Sequence, residues 1–166
     1  MRKKIIRNIL LGTTIAGAIG GLSYINKKQV DGIDRKYART KGYFDVTYDW
    51  VANKQNQKTL DAFFDAEGIR RIAIYGMGSL GELFYNELKS RNIVEIKYFI
   101  DQMADLYSYG LDDIPVKNTI SMEAEDRTDA VIVTPVHIFN EIKDDLLKQG
   151  YNGKILSLED AINRMD

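Results

Sequence analysis

The sequence predicts an α/β protein, a parallel sheet flanked by helices and preceded by an N-terminal transmembrane or hydrophobic helix. Three observations carry this. From residue 69 onward, β-branched and aromatic runs alternate with helical patterns, the order in which βαβ units build a parallel sheet. The first of those runs passes straight into Gly76-Met77-Gly78-Ser79-Leu80-Gly81, a G-x-G-x-x-G that opens a helix. Near the start, an uncharged run over residues 8–26 stands between Arg2, Lys3, Lys4 and Arg7 on one side and Lys27 and Lys28 on the other.

The elements follow in order. The apolar part of the N-terminal run, residues 9–25, is about 17 residues long, the lower limit for a spanning helix. Gly12, Ala16 and Gly20 lie four apart, as do Gly17 and Gly21, the small-xxx-small spacing of a helix-pairing surface. Two other readings stay open: a signal peptide cleaved near Ala16-Gly17-Ala18, and a soluble hydrophobic helix docking on a partner. Residues 29–40 are charged without clear periodicity and read as a juxtamembrane linker or frayed helix. Tyr43, Phe44, Tyr48, Trp50 and Val51 recur at roughly helical spacing. A second helix is expected over 59–66, with Leu60, Phe63 and Phe64 on one face and Gly68 as its stop.

Strands are then expected at 69–75 and 94–100, with a helix over 79–91 between them. A short extended piece at Ile114-Pro115-Val116 and a brief helix over 121–126 come next. The β-branched run 130–134 reads as a strand buried on both faces. A helix over 137–149 carries Ile138, Ile142, Leu146 and Leu147 on one face and stops at Gly150. A strand at 154–156 and a helix over 158–165 close the chain. The domains are therefore 1–28, a candidate anchor; 29–68, a linker and helical lead-in; and 69–166, the α/β domain.

Composition bounds the chemistry. The 166 residues, 45% of them apolar, suffice for one domain with a real core and an appendage. A net charge of −1 with both signs interspersed leaves no basic field for nucleic acid. The absence of cysteine excludes a disulfide framework, a thiolate metal site and a cysteine nucleophile, and fits a reducing compartment. One histidine excludes a multi-histidine metal site, and no metal site is expected.

The chemistry gathers at the glycine run. In a dinucleotide-binding βαβ unit, Gly76 and Gly78 give a tight turn and let a diphosphate approach the backbone, while Gly81 lets helix and strand pack closely. Backbone N–H groups from Gly76 through Met77, Ser79 and Leu80 would hold the anion, aided by the helix dipole. Ser79 can cap the helix or bind a phosphate oxygen. Asp101 ends the next apolar run about 20 residues after the last glycine, where an acid reads ribose hydroxyls; its other reading is a turn cap. Thr134-Pro135-Val136-His137 follows the buried strand at the ligand-binding edge, and His137 could contact phosphate or sugar. An unoccupied glycine turn retained only for packing is the alternative. Tyr85 and Lys89 match the Y-x-x-x-K pair of short-chain dehydrogenases, but they sit on the first helix rather than a later one and are rejected as an active site. Asp112-Asp113 and Asp144-Asp145 read as solvated faces.

The runs Ile74-Tyr75-Gly76-Met77-Gly78, Phe99-Ile100-Asp101, Ile114-Pro115-Val116 and Asp129-Ala130-Val131-Ile132-Val133 resemble a recurring bacterial module. It is the small Rossmann-like domain of proteins that make capsule, exopolysaccharide and glycans. Such domains precede the catalytic part of membrane-bound nucleotide-sugar dehydratases and begin the nucleotide-sugar acetyltransferases. The resemblance covers residues 69–158. It implies a Rossmann-like parallel sheet flanked by helices, and a nucleotide sugar held by the glycine turn and the following acid. No hexapeptide-repeat domain and no second dehydratase half accompany it here.

The expectation is a single-pass membrane protein with a cytoplasmic globular domain. That domain would bind a nucleotide-type small molecule, NAD or a nucleotide sugar, as an accessory to cell-surface polysaccharide synthesis. No catalytic constellation is evident. The rivals are an NAD-dependent oxidoreductase or epimerase subunit completed by a partner, and an interaction module with an empty glycine turn working through residues 43–50. A protein partner or homodimer is compatible with each.

Overall fold

The computed structural model describes residues 2–106 and 110–166, with side chains from residue 27 onward. Its five strands are β1 (Arg71–Tyr75), β2 (Glu95–Ile100), β3 (Val116–Lys117), β4 (Ala130–Val133) and β5 (Lys154–Ser157). All pair in parallel, in the order β3-β2-β1-β4-β5. The helices are α1 (Arg2–Gln55), α2 (Asp61–Glu67), α3 (Ser79–Arg91), α4 (Phe139–Lys148) and α5 (Leu158–Asn163). The chain leaves β1 toward β2 and β3 on one side, then returns to place β4 on the other side of β1. The switch point of the sheet therefore lies between the ends of β1 and β4, where open α/β sheets form their crevice.

The chain divides into two compact units, Met1–Thr40 and Lys41–Asp166. In the first, the side chains of 27–40 are all exposed. The linker expected over 29–40 is helical, because α1 continues through it without a break. No helix among the described residues is long and apolar enough to cross a membrane. The anchor expected over 1–28 lies, but for Lys27 and Lys28, outside the residues whose side chains are described.

The second unit starts well before the first strand. Val46 and Trp50 of α1 are buried with Leu60, Phe63 and Phe64 around α2, in the same core as Phe84 of α3, Ile162 of α5 and the β1 residues Ile72 and Ile74. Side-chain and backbone hydrogen bonds fasten this lead-in to the C-terminal helix. Asn53 Nδ2 donates to the Ile162 carbonyl at 2.7 Å, and Thr59 N–H donates to the Asp166 carbonyl at 2.8 Å. The other sheet face is covered by α4 through Ile142 and Leu146, against Ala73, Val131 and Val133. Alternate residues of β1 and β4 thus face two cores, which is why both strands read as continuous apolar runs.

Several boundaries move from their sequence positions. The helix expected over 121–126 is a single 3₁₀ turn, Ala124–Asp126. The helix expected from 137 is a 3₁₀ turn, Val136–Ile138, followed by α4, because Ile138, with φ at −125° and ψ at 24°, leaves helical backbone between the two. The 3₁₀ turn at 124–126 is tied to β3 by Asp126, which accepts from Lys117 Nζ and, at 2.6 Å, from Ser121 Oγ.

Truncating Trp50 tests whether α1 belongs to this core. At 7% exposed and edge-on to Phe84, Trp50→Ala is expected to cost about 3–5 kcal/mol in urea unfolding, against less than about 0.5 kcal/mol for a substitution at exposed Asp49. Asp126 gives a test in pH. Its hydrogen bond from Lys117, then that from Ser121, hold its carboxyl below the usual carboxylate range. A carboxylate with a depressed folded pKa stabilises above the unfolded value of about 3.9 and loses that contribution as pH falls through the folded one. Asp126→Asn should therefore lower the thermal midpoint at neutral pH and flatten its decline below about pH 4.

Candidate functional site

The loop between β1 and α3 is shaped by what its glycines make room for. Gly76 holds φ at +95°, and a Cβ there would lie 2.7 Å from Thr134 Oγ1 and 2.9 Å from Pro135 Cδ. At Gly81 a Cβ would lie 2.0 Å from the Gly76 carbonyl oxygen, so the first turn of α3 rests directly on the loop backbone. Gly78 differs. Its φ of −79° and ψ of −173° are extended backbone open to any residue, and nothing lies within 4 Å of where its Cβ would be. Gly76 and Gly81 are required by the protein's own packing, whereas Gly78 faces open space.

Gly76 is clamped from both neighbouring strands. Its N–H donates to the Ile100 carbonyl of β2 at 2.7 Å. Its carbonyl accepts from Thr134 Oγ1 at 3.2 Å, and the same hydroxyl reaches the Tyr75 carbonyl at 3.0 Å. Thr134 is buried, with its proton committed to the loop, so it positions the turn.

Asp101 closes the loop from the end of β2. Its Oδ2 accepts from Met77 N–H at 2.9 Å, and its Oδ1 accepts from Met103 N–H at 2.9 Å. The acid that sequence spacing selects does meet the glycine loop, and it also caps the turn that follows β2. Met77 packs half-buried on the core, and Leu80 is buried. The exposed rim is Gly78 and Ser79. Gly78 is the N-cap of α3 and offers the first-turn N–H groups no side-chain acceptor, whereas the Gly76 and Met77 N–H groups expected to hold an anion donate instead to the Ile100 carbonyl and to Asp101. This 13-residue helix directs its positive end at the open side of Gly78.

His137 stands apart from these groups. Its ring meets Tyr43 of α1 edge-on at 5.8 Å between centroids. It lines a cavity of about 390 Å³ with the first turn of α4 and with Ser157, Glu159 and Asp160, and no residue of the glycine loop shares that cavity. The loop and Asp101 are brought together, and Thr134 supports them from beneath. The sequence reading missed Gly42, and it counted Tyr43 among the aromatic residues of a helix without placing it beside His137. A Cβ at Gly42 would lie 3.2 Å from Val136 Cγ2, so α1 passes close against the turn after β4. A glycine inside a helical stretch is the signal that could have marked this approach.

Tyr85 and Lys89 have a structural task. Tyr85 Oη donates to Asp112 Oδ2 at 2.8 Å, and Lys89 Nζ donates to the same oxygen at 2.6 Å. Asp112 and Asp113 both have positive φ, at 51° and 68°, and form the tip of a tight turn closed by Leu111 and Ile114. The Y-x-x-x-K pair pins this turn to α3. Burial, then the Asp112 hydrogen bond, push the Tyr85 phenol up, the wrong direction for a proton-transfer group.

The two bonds of Asp101 should matter for the fold itself. Asp101→Ala leaves the part-buried Met77 N–H without its acceptor and returns the exposed Met103 N–H to water, and is expected to cost about 1–2 kcal/mol in chemical unfolding, with Ser79→Ala within about 0.5 kcal/mol of the parent.

A protein-family model described as C2185-like, N-terminal, matches residues 68–156, more than half of the chain. The match runs from Gly68 through β1, the glycine loop, β2 and β4 into β5. No curated protein and no solved structure matches the chain.

Proposed function

The chain belongs to the C2185-like, N-terminal family, and we propose that it binds a nucleotide-type small molecule, NAD or a nucleotide sugar, at the loop between β1 and α3. The observation that carries this is Gly78. It sits on extended backbone with open space where a side chain would be, at the uncapped N-terminus of α3 and at the switch point of a parallel sheet. A diphosphate seated there would take the first-turn N–H groups of α3 and the dipole of the helix. Asp101, already facing the loop, supports a reading of the ribose hydroxyls and repels a 2′-phosphate.

The role in cell-surface polysaccharide synthesis rests on the resemblance of the glycine turn, the Phe99-Ile100-Asp101 run and the β4 strand to the accessory domains of that chemistry. The single-pass membrane location, with this domain in the cytoplasm, rests on the uncharged run over residues 8–26. On this reading the chain holds the nucleotide-linked compound and leaves its conversion to another component.

Gly78→Asp separates ligand loss from loss of fold. Aspartate is a favoured N-cap and suits the positive end of α3, so the variant should unfold at or above the parent temperature. Its charge occupies the place a phosphate would take. Thermal unfolding of the full chain against NAD, NADP and UDP-sugars should show a parent shift with one class, about 2.7 kcal/mol at 100 times the dissociation constant. The shift should be absent from Gly78→Asp. An equal shift in both proteins would move the site elsewhere, and no shift with any of these compounds in the parent would remove the reading.

A further inference from the structure

Helix α1 carries apolar side chains on opposite sides. In the second unit Val46 and Trp50 face the core, while Phe44, Tyr48 and Val51, about half a helical turn away, are exposed by 67%, 64% and 52%. The rings of Phe44 and Tyr48 stack with centroids 6.2 Å apart, making one continuous surface. In the first unit Val30, Ile33 and Tyr37 are exposed by 54%, 66% and 68%. A surface helix ordinarily turns charged residues outward, so these six depart from the rule.

Their spacing in the sequence is regular. Val30, Tyr37, Phe44 and Val51 fall at intervals of seven, and Ile33, Thr40 and Thr47 take the complementary position three residues after the first three of them. This is the a and d pattern of a helix that pairs with another. Five of the six exposed side chains fall at these positions and Tyr48 lies beside them; together they expose roughly 700 Å² per copy, close to the roughly 800 Å² per partner of a standard interface.

We propose that this stripe is where a second copy of the chain pairs, α1 against α1, parallel and in register. The direction follows from the two sets of positions. Parallel pairing sets each a residue against its own copy, giving four apolar layers of Val30, Tyr37, Phe44 and Val51. Antiparallel pairing sets a against d, which places threonines opposite Val30 and Tyr37. Parallel pairing brings Lys36 of one copy toward Lys41 of the other, a like-charge contact that Asp45 offsets by pairing with Lys41 in its own helix. The inference stands independently of any ligand at the glycine loop.

The chain contains no cysteine, so one introduced cysteine can link only to its copy. In the purified full chain under mild oxidation, Tyr37→Cys, Phe44→Cys and Val51→Cys should each give disulfide-linked dimers at least about tenfold faster than Arg35→Cys and Asp49→Cys, which lie off the seam. The combined Phe44→Glu and Tyr48→Glu variant should sediment as a monomer with the thermal midpoint of the parent. Linkage at only one of the three seam positions would indicate an antiparallel pair and overturn the proposal. Equal linkage at Arg35 and Asp49, or a parent chain that sediments as a monomer at tens of micromolar, would overturn it as well.

Discussion

A single residue at the end of β1 couples the three central strands to α3. Gly76 must turn with φ at +95°, its N–H is held by Ile100 of β2, and its carbonyl is held by the Thr134 hydroxyl beyond β4. The same carbonyl is the surface against which Gly81 lets α3 pack, at a distance no Cβ could share. A side chain at 76 would collide with Thr134 and Pro135, and one at 81 would lift α3 from the loop. With α3 would go Phe84, Tyr85 and Leu88, which are buried against the sheet. The geometry that offers the α3 N-terminus to solvent is thus the geometry that sets the core.

The sheet was legible because its strands are buried on both faces and β-branched, and because glycine spacing marks the turn after β1. Asp101 was found by spacing, since a strand of fixed rise delivers its last residue beside the neighbouring loop. What escaped was decided by contacts distant in sequence. Nothing local to Thr134 reveals that its hydroxyl is committed to Tyr75 and Gly76, about sixty residues earlier. Nothing local to His137 reveals that its ring meets Tyr43, nearly a hundred residues earlier in the sequence. The pairing of Tyr85 and Lys89 with Asp112 is likewise settled by tertiary structure, and it turns a motif resembling an active site into a fastening for a loop.

The lead-in to the domain shows a different limit. Aromatic residues at helical spacing indicate a helix, but not how many faces it uses. Of the five residues that marked this stretch, Trp50 is buried and Tyr43 half-buried, while Phe44, Tyr48 and Val51 are exposed. Val46, absent from that set, is more deeply buried than Trp50. One helix serves an internal core on one side and presents an apolar stripe on the other, so its hydrophobic residues surround the axis and no single period stands out. The pattern is resolved only when the core residues are removed from it, which leaves the interval of seven.

The capping of the turn by Asp101 and the ribose contact proposed for it first appear as rivals, yet the geometry leaves room for both. A carboxylate offers about four lone-pair sites, two on each oxygen. Met77 N–H uses one site on Oδ2 and Met103 N–H uses one on Oδ1, leaving one on each oxygen. A ribose presents two adjacent hydroxyls, each able to donate one hydrogen bond, which matches what remains. The bonds already made would then fix the plane of the carboxylate before any ligand arrives, so a nucleotide would meet an acceptor that needs no ordering. On the proposed reading, the interaction that secures the loop would also be the one that prepares it to recognise a sugar.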